Sequence, residues 1–147
     1  MDDVKNGEPS KNMPFEIAVT SEDIRAFARA TKAESPEYFT DSPVMPVTFL
    51  NCTVRWQKPE NNPYGDVPRD LSHMVHGGQE YVFYGPSPKA GTTLTGQSRI
   101  ERVYEKVSSR SGTMRFTESV YEYRDATGRL VAEARGVHIE LGVEGES

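Results

Sequence analysis

Histidine and cysteine are the residue types in this sequence that most readily take part in catalysis or metal binding. His76 precedes Gly77 and Gly78, so its imidazole could meet a substrate beside open backbone, or could hydrogen-bond the backbone and hold a turn. His73 lies three residues before His76, but a zinc site needs at least a third protein ligand, and Cys52 is the only thiol. We therefore expect no metal site and treat His76 as a candidate acid or hydrogen-bond donor.

The composition excludes several classes of partner. The chain has 147 residues, with 17 Lys and Arg against 22 Asp and Glu, so its net charge of −5 argues against binding to a nucleic-acid backbone. No apolar run approaches the roughly 20 residues that span a bilayer, and the N-terminus lacks the basic and apolar regions of a signal peptide. A single cysteine fits a reducing compartment. We expect a cytoplasmic protein with no nucleic-acid or membrane partner.

The first helix and strand of the chain help to position its functional residues. Residues 15–19 alternate as a short strand. Thr20 followed by Asp23 resembles a helix-start capping box, and apolar residues then recur with helical spacing from Ser21 to about Lys32. Pro36 disfavours continuation of that helix. The sequence predicts a strand followed by one amphipathic helix.

A second helix and a long connection are predicted next. Pro46 suits the first turn of a helix, and the crowded apolar residues at 47–56 indicate a helix buried on most sides. Residues 57–78 are rich in proline and glycine, which is typical of a long connection.

Strand patterns fill the rest of the chain. We predict strands at 79–84, 92–107, 113–124 and 129–140, with a bulge near residues 102–103 and a turn at 125–128. His138, on the last strand, is expected at a surface or an interface. The predicted domain covers residues 14–141, with tails at 1–13 and 142–147. The predicted fold class is α+β, an antiparallel sheet with one helix packed on its concave face.

Five segments resemble the MaoC-like hot-dog dehydratases and hydratases. Residues 76–91 resemble the family's "HGxQEFxxxxPxxAGD" stretch, residues 102–106 and 123–132 resemble its following strands, and residues 27–39 and 46–49 resemble its first helix and the start of its central helix. The resemblance implies a hot-dog fold, an antiparallel sheet wrapped around a central helix. It also implies a dimer that binds a thioester of coenzyme A or acyl carrier protein, with the acyl tunnel at the interface and no cofactor.

The resemblance also implies where catalytic residues should stand. Catalytic members carry Asp and His in a "D-x-N-P-x-H" segment after the first helix; alignment on Pro36 puts Ala33 at the Asp position and Tyr38 at the His position. Glu34 is one residue from the acid position, and Tyr38, with a reference pKa near 10, could at best donate a hydrogen bond at neutral pH. Glu34, Tyr38 and His76 are the catalytic candidates.

The same resemblance suggests substrate-binding residues. Pro46, Val47, Thr48 and Phe49 begin the central helix, and the first N–H groups of that helix could face a thioester oxygen, or the segment could simply begin a buried helix. Gly77 and Gly78, beside His76, would lie at the mouth of the acyl tunnel.

Three functions follow as alternatives. Because both catalytic side chains are missing, the first is a subunit of an (R)-specific enoyl-thioester hydratase or 3-hydroxyacyl dehydratase, as in fatty acid or sterol metabolism, which forms the acyl-binding half beside a catalytic Asp/His hot-dog subunit. The second is a homodimeric hydratase or thioesterase that uses Glu34 and His76. The third is a non-enzymatic acyl-CoA binding module.

Overall fold

A five-stranded antiparallel sheet is the main layer of the protein. The computed structural model describes residues 12–65 and 69–143. The strands are arranged in the order β1-β3-β4-β5-β2, and their bounds are β1 Phe15–Ala18, β2 Met74–Phe83, β3 Thr93–Ser108, β4 Gly112–Arg124 and β5 Leu130–Leu141. The predicted α+β class and hot-dog arrangement are confirmed.

The first strand and helix form where the sequence predicts them. Phe15 and Ile17 are buried on one side of β1, and helix α1 runs over Ser21–Ala30. The backbone N–H of Asp23 donates to the Thr20 hydroxyl at 3.1 Å, and that hydroxyl donates to the Asp23 carboxylate at 2.8 Å. This exchange satisfies an end group of the helix that would otherwise lack a partner, so the predicted cap is confirmed.

A 3₁₀ helix over Val47–Trp56, here called the central helix, packs against the sheet. Phe49, Leu50 and Thr53 are buried, but Val47 is 50% exposed and Val54 is 66% exposed. The prediction of a helix buried on most sides was therefore wrong, because the sheet covers only one side of it within the described residues. Three shorter 3₁₀ turns lie at Pro36–Tyr38, Pro59–Asn61 and Leu71–His73.

Strand β2 begins five residues earlier than predicted. It pairs with β5 from Met74 onward, His76 lies opposite His138, and the register shifts between His76 and Gly78. The prediction that His76 and its glycines belong to a connection was therefore wrong, because pairing with β5 outweighs the turn preference of glycine. A Cβ on Gly77 would come within 2.7 Å of the Ile139 side chain, so glycine relieves crowding at this bulge.

The remaining strands follow the prediction closely. The bulge in β3 lies between Ile100 and Arg102, one residue before the predicted place. The β4–β5 turn is closed by the Gly128 N–H, which donates to the Asp125 carbonyl at 3.0 Å. Gly128 has a φ of 84°, which favours glycine.

The two faces of the sheet have different chemistry. We call the face that carries Tyr121, Tyr123 and Ala134 the inner face, since Tyr123 and Ala134 belong to the same core cluster as Ile24 of α1 and Leu50 of the central helix. Side chains alternate along a strand, so the neighbouring residues project from the opposite, outer face. There, ion pairs join the side chains of Arg99 and Glu122 at 2.9 Å, Arg135 and Glu133 at 2.7 Å, and Arg135 and Glu101 at 3.0 Å.

Both predicted tails fall largely outside the described residues, which omit 1–11 and 144–147. Where the description begins, the Met13 N–H donates to the Glu60 carbonyl at 2.8 Å, and the Asn12 amide donates to the Asn61 carbonyl at 3.1 Å. None of the described helices is both long and apolar enough to cross a membrane.

Candidate functional site

A cavity of about 200 Å³ lies between the C-terminal half of the central helix and the inner face of the sheet. The helix and the residue after it line one wall with Leu50, Asn51, Thr53, Val54 and Gln57. Leu50 and Thr53 are buried against the strands, while Asn51 and Val54 are exposed and lie at the rim.

Strands β2, β4 and β5 line the other walls. Their lining residues are His76, Gln79, Ser119, Tyr121, Tyr123, Ala134, Gly136 and His138. Nine of the thirteen residues around the cavity carry a polar side chain, and none is Asp, Glu, Lys or Arg. The cavity is therefore polar but formally uncharged except through its histidines. It can donate and accept hydrogen bonds, but no carboxylate or lysine on its walls can act as an acid or base.

The floor of the cavity is a buried hydroxyl pair. The Tyr123 phenol oxygen lies 2.8 Å from the Thr53 hydroxyl oxygen, and the Thr53 hydroxyl is 2.9 Å from the Leu50 carbonyl, to which it can donate. Burial raises the pKa of the Tyr123 phenol far above its usual value, although the bond with Thr53 opposes that rise. Tyr123 therefore remains neutral and ties β4 to the central helix.

Two histidines and a tyrosine form the mouth of the cavity. The ring centroids of His76 and His138 are 5.5 Å apart across the β2–β5 pair. Nδ1 of His138 lies 2.9 Å from the Tyr64 hydroxyl oxygen, and Nε2 of His76 lies 3.3 Å from the side-chain oxygen of Gln79. These contacts place four hydrogen-bonding side chains around one opening.

The electrostatics keep His138 and Tyr64 uncharged near pH 7. Burial lowers the pKa of His138 below its usual value, and the positive charge of Arg69 and the neighbouring His76 add to that effect. Burial also raises the pKa of Tyr64, so the phenol keeps its proton. The Arg69 guanidinium lies 3.5 Å from the centre of the Tyr64 ring, which fixes the ring that contacts His138.

The three predicted catalytic residues do not lie together in this structure. His76 lines the cavity, but Glu34 and Tyr38 lie in the segment after α1 and are not among the lining residues. Glu34 is exposed and makes no hydrogen bond or ion pair within residues 12–65 and 69–143, whereas Tyr38 is half-buried against the core. No described contact joins either side chain to His76.

The predicted substrate-binding residues lie elsewhere as well. Pro46, Val47, Thr48 and Phe49 occupy the N-terminal end of the central helix, whereas the cavity begins at Leu50. The Phe49 N–H already donates to the Pro46 carbonyl at 3.0 Å. Gly77 is the bulged residue of β2.

Gly78 borders a second cavity, of about 340 Å³, on the outer face. That cavity is lined by charged side chains such as Glu101, Glu118 and Arg135, and the Glu101–Arg135 ion pair already satisfies two of them. In the part of the chain that the structure describes, no group of three or more His, Cys, Asp or Glu is arranged to hold a metal ion.

Sequence reasoning missed Tyr64 and assigned no site role to His138. Alternation along β5 puts His138 on the same face as Ala134 and Gly136. Once that face is known to be the inner one, the alternation predicts that His138 faces the cavity. Tyr64 lies in the long connection, where no periodicity predicts its neighbours.

The family comparison matches most of the chain. Residues 7–134 match the family model described as the FAS1-like, dehydratase domain region. No curated protein matches this sequence.

Solved structures of similar fold cover nearly the whole chain. A chain of the C-terminally truncated HadBC (3R-hydroxyacyl-ACP dehydratase) complex from Mycobacterium tuberculosis is 24% identical, with a TM-score of 0.67, covering 90% of this chain and 98% of that one. A chain of the ChsH1-ChsH2 complex from the same organism is 14% identical with a TM-score of 0.67, covering 91% and 85%. A MaoC-like dehydratase from Phytophthora capsici is 17% identical with a TM-score of 0.70, covering 94% of this chain and 49% of that one. The chain thus belongs to the FAS1-like dehydratase family and has the hot-dog fold of the MaoC-like dehydratases.

Proposed function

We propose that this chain is the acyl-binding, non-catalytic hot-dog subunit of an (R)-specific enoyl-thioester hydratase or 3-hydroxyacyl dehydratase. Its partner would be a second hot-dog subunit that carries the catalytic Asp and His. The substrate would be a thioester of coenzyme A or acyl carrier protein, and the chemistry needs no cofactor.

The reaction defines what a catalytic subunit must contain. Hydration adds water across the double bond next to the thioester: the hydroxyl joins the β-carbon, and a proton joins the α-carbon. A base must take one proton from water and an acid must deliver one to carbon, while donors stabilise the enolate-like thioester oxygen. An aspartate and a histidine on one loop can hold and activate the water.

The pair Ala33 and Tyr38 carries the proposal. These residues stand where the family resemblance expects the catalytic Asp and His, and neither side chain can act as a base at neutral pH. Glu34, one residue from the acid position, is exposed and has no hydrogen bond or ion pair to another described residue that would orient it. A subunit that lacks its own acid and base needs a partner for turnover.

The heteromeric part of the proposal has separate support. Two of the similar structures are chains of complexes named for paired components, HadBC and ChsH1-ChsH2. Strand β2 also lies at an edge of the described sheet, where it pairs with β5 on one side only, and Val75 on it is 44% exposed, so its other side is available to a partner.

Hydration of a short trans-2-enoyl-CoA, followed as loss of enoyl absorbance, tests the proposal. We expect no turnover by the purified chain. We expect turnover when a hot-dog subunit with the "D-x-N-P-x-H" segment is added, at a rate above that of the catalytic subunit alone.

Two variants separate this function from its alternatives. Turnover by the chain alone that is lost in Glu34→Gln or His76→Ala would overturn the proposal in favour of a homodimeric enzyme. Acyl-CoA binding with no turnover in the presence of any such catalytic subunit would instead identify a binding module.

A further inference from the structure

We infer that the acyl group taken by this chain carries an uncharged oxygen function, a hydroxyl or a keto group, near the end remote from the thioester, and that this end enters the inner-face cavity. The inference rests on the proposed function and names the substrate class for that same site. It follows from the chemistry of the lining, the absence of fixed charge on it and its size.

The lining does not suit a plain alkyl chain. Nine of its thirteen residues present hydroxyl, amide or imidazole groups. When an alkyl chain displaces water from such groups, each polar atom that loses its partner carries an unfavourable cost of desolvation. A hydroxyl or keto oxygen replaces the lost water bonds, so an oxygenated chain avoids that cost.

Several of these groups retain hydrogen-bonding capacity. The side chain of Asn51 makes no hydrogen bond within the described residues, and the side-chain contact of Gln79 is the 3.3 Å approach to His76. The Tyr121 phenol interacts with Ser98 and Gln57, and Tyr121 also lines the cavity from strand β4. Amide and phenol groups can donate to a keto oxygen, and their oxygens can accept from a hydroxyl.

The lining also selects against a charged end group. No lysine, arginine or carboxylate lines the cavity, so no ion pair on its walls is available to a buried carboxylate or ammonium. The positive charge of Arg69 acts on His138 from outside the lining and further disfavours an ammonium group. Burying an uncompensated charge costs far more than burying a hydroxyl. The favoured ligand is therefore polar and neutral.

The volume of the cavity indicates that it holds the end of an acyl chain. At ~30 Å³ for each water in the liquid, about 200 Å³ corresponds to the space of about six to seven waters. That space accommodates a short oxygenated segment, while the thioester and its carrier stay outside.

Matched thioesters test the inference directly. We would measure by calorimetry the binding of plain trans-2-enoyl-CoA and its ω-hydroxylated counterpart, in chains of six, eight and ten carbons. Each ligand would be added to the full chain and to its complex with the catalytic subunit. We expect the hydroxylated member to bind at least fivefold more tightly at one chain length.

Substitutions assign that preference to the cavity. Tyr121→Phe removes one lining hydroxyl and Asn51→Leu removes one amide, and each should reduce the hydroxyl preference to less than twofold while the plain chain binds at least as tightly as before. Tyr104→Phe is the matched control, since Tyr104 stacks on Phe116 on the outer face and should leave both affinities unchanged.

Each outcome decides the question. Equal or tighter binding of the plain chain at all three lengths overturns the inference but leaves the acyl-binding role intact. A loss of affinity for both ligands in Tyr121→Phe also overturns it. If neither thioester binds the chain or the complex, the proposed function itself fails, and the inference fails with it.

Discussion

The phenol oxygen of Tyr123 lies 2.8 Å from the hydroxyl of Thr53, across a sequence separation of 70 residues. This buried bond joins strand β4 to the central helix at the floor of the inner-face cavity. It positions the helix over the sheet, so its removal should affect stability before it affects any chemistry.

We expect Tyr123→Phe to lower the free energy of unfolding by about 0.5–1.5 kcal/mol, because a neutral buried hydrogen bond is lost while the ring still fills its space. Urea unfolding followed by fluorescence measures the change. Tyr104→Phe on the outer face is the control and should be nearly neutral. Equal effects of the two substitutions would contradict a specific role for the Thr53 bond.

Gly96 is required by a close approach of Phe15. A Cβ at residue 96 would lie 2.5 Å from the edge of the Phe15 ring, which is itself buried. We expect Gly96→Ala to destabilise the fold by about 1–3 kcal/mol through overpacking. Gly78→Ala is the matched control within a strand, since its new Cβ would meet Val137 at 3.9 Å. Thermal unfolding of both variants checks the difference, and similar melting temperatures would refute the argument.

The proposed pairing with a catalytic subunit predicts sensitivity at the β2 edge. A lysine in place of Val75 would bring an unpaired charge into a strand-to-strand contact, so Val75→Lys should weaken association on the order of tenfold or more. Light scattering after size-exclusion chromatography measures the complex. Val107→Lys, at a position that is 83% exposed on β3, should leave association unchanged. If Val75→Lys pairs as well as the unmodified chain, β2 is not the contact.

The environment of His138 predicts its titration. Because burial and nearby positive charge lower its pKa, the imidazole should titrate below about 6.5, the usual value. The unfolded chain then binds a proton more readily than the folded one. This contribution to stability is therefore present above pH 6.5 and is lost as the pH falls through the folded pKa.

An NMR titration of the three histidine rings gives the His138 midpoint directly. Urea unfolding at several pH values should also show a smaller loss of stability on acidification in His138→Gln than in the unmodified chain. A His138 midpoint at or above the usual value would contradict the burial argument.

Local signals were sufficient for much of the fold. The Thr20–Asp23 cap, the alternation of Phe15 and Ile17 and the turn before Gly128 all depend on atoms within a few residues of one another, and each formed as predicted. The exposure of Val54 and the inclusion of His76 in a strand were predicted wrongly, because both depend on what packs alongside.

The sequence by itself, through its periodicity and its family resemblance, predicted the α+β hot-dog fold and the order of its strands along the chain, and the assignment of Ala33 and Tyr38 to the family's Asp and His positions stays a prediction. Only the tertiary structure decided that Tyr64 meets His138, 74 positions away, and that His138 lies beside His76 in the lining of a polar cavity. Caps and turns are set by short-range hydrogen bonds, whereas that cluster exists only because β2 pairs with β5 and the connection folds back over their ends.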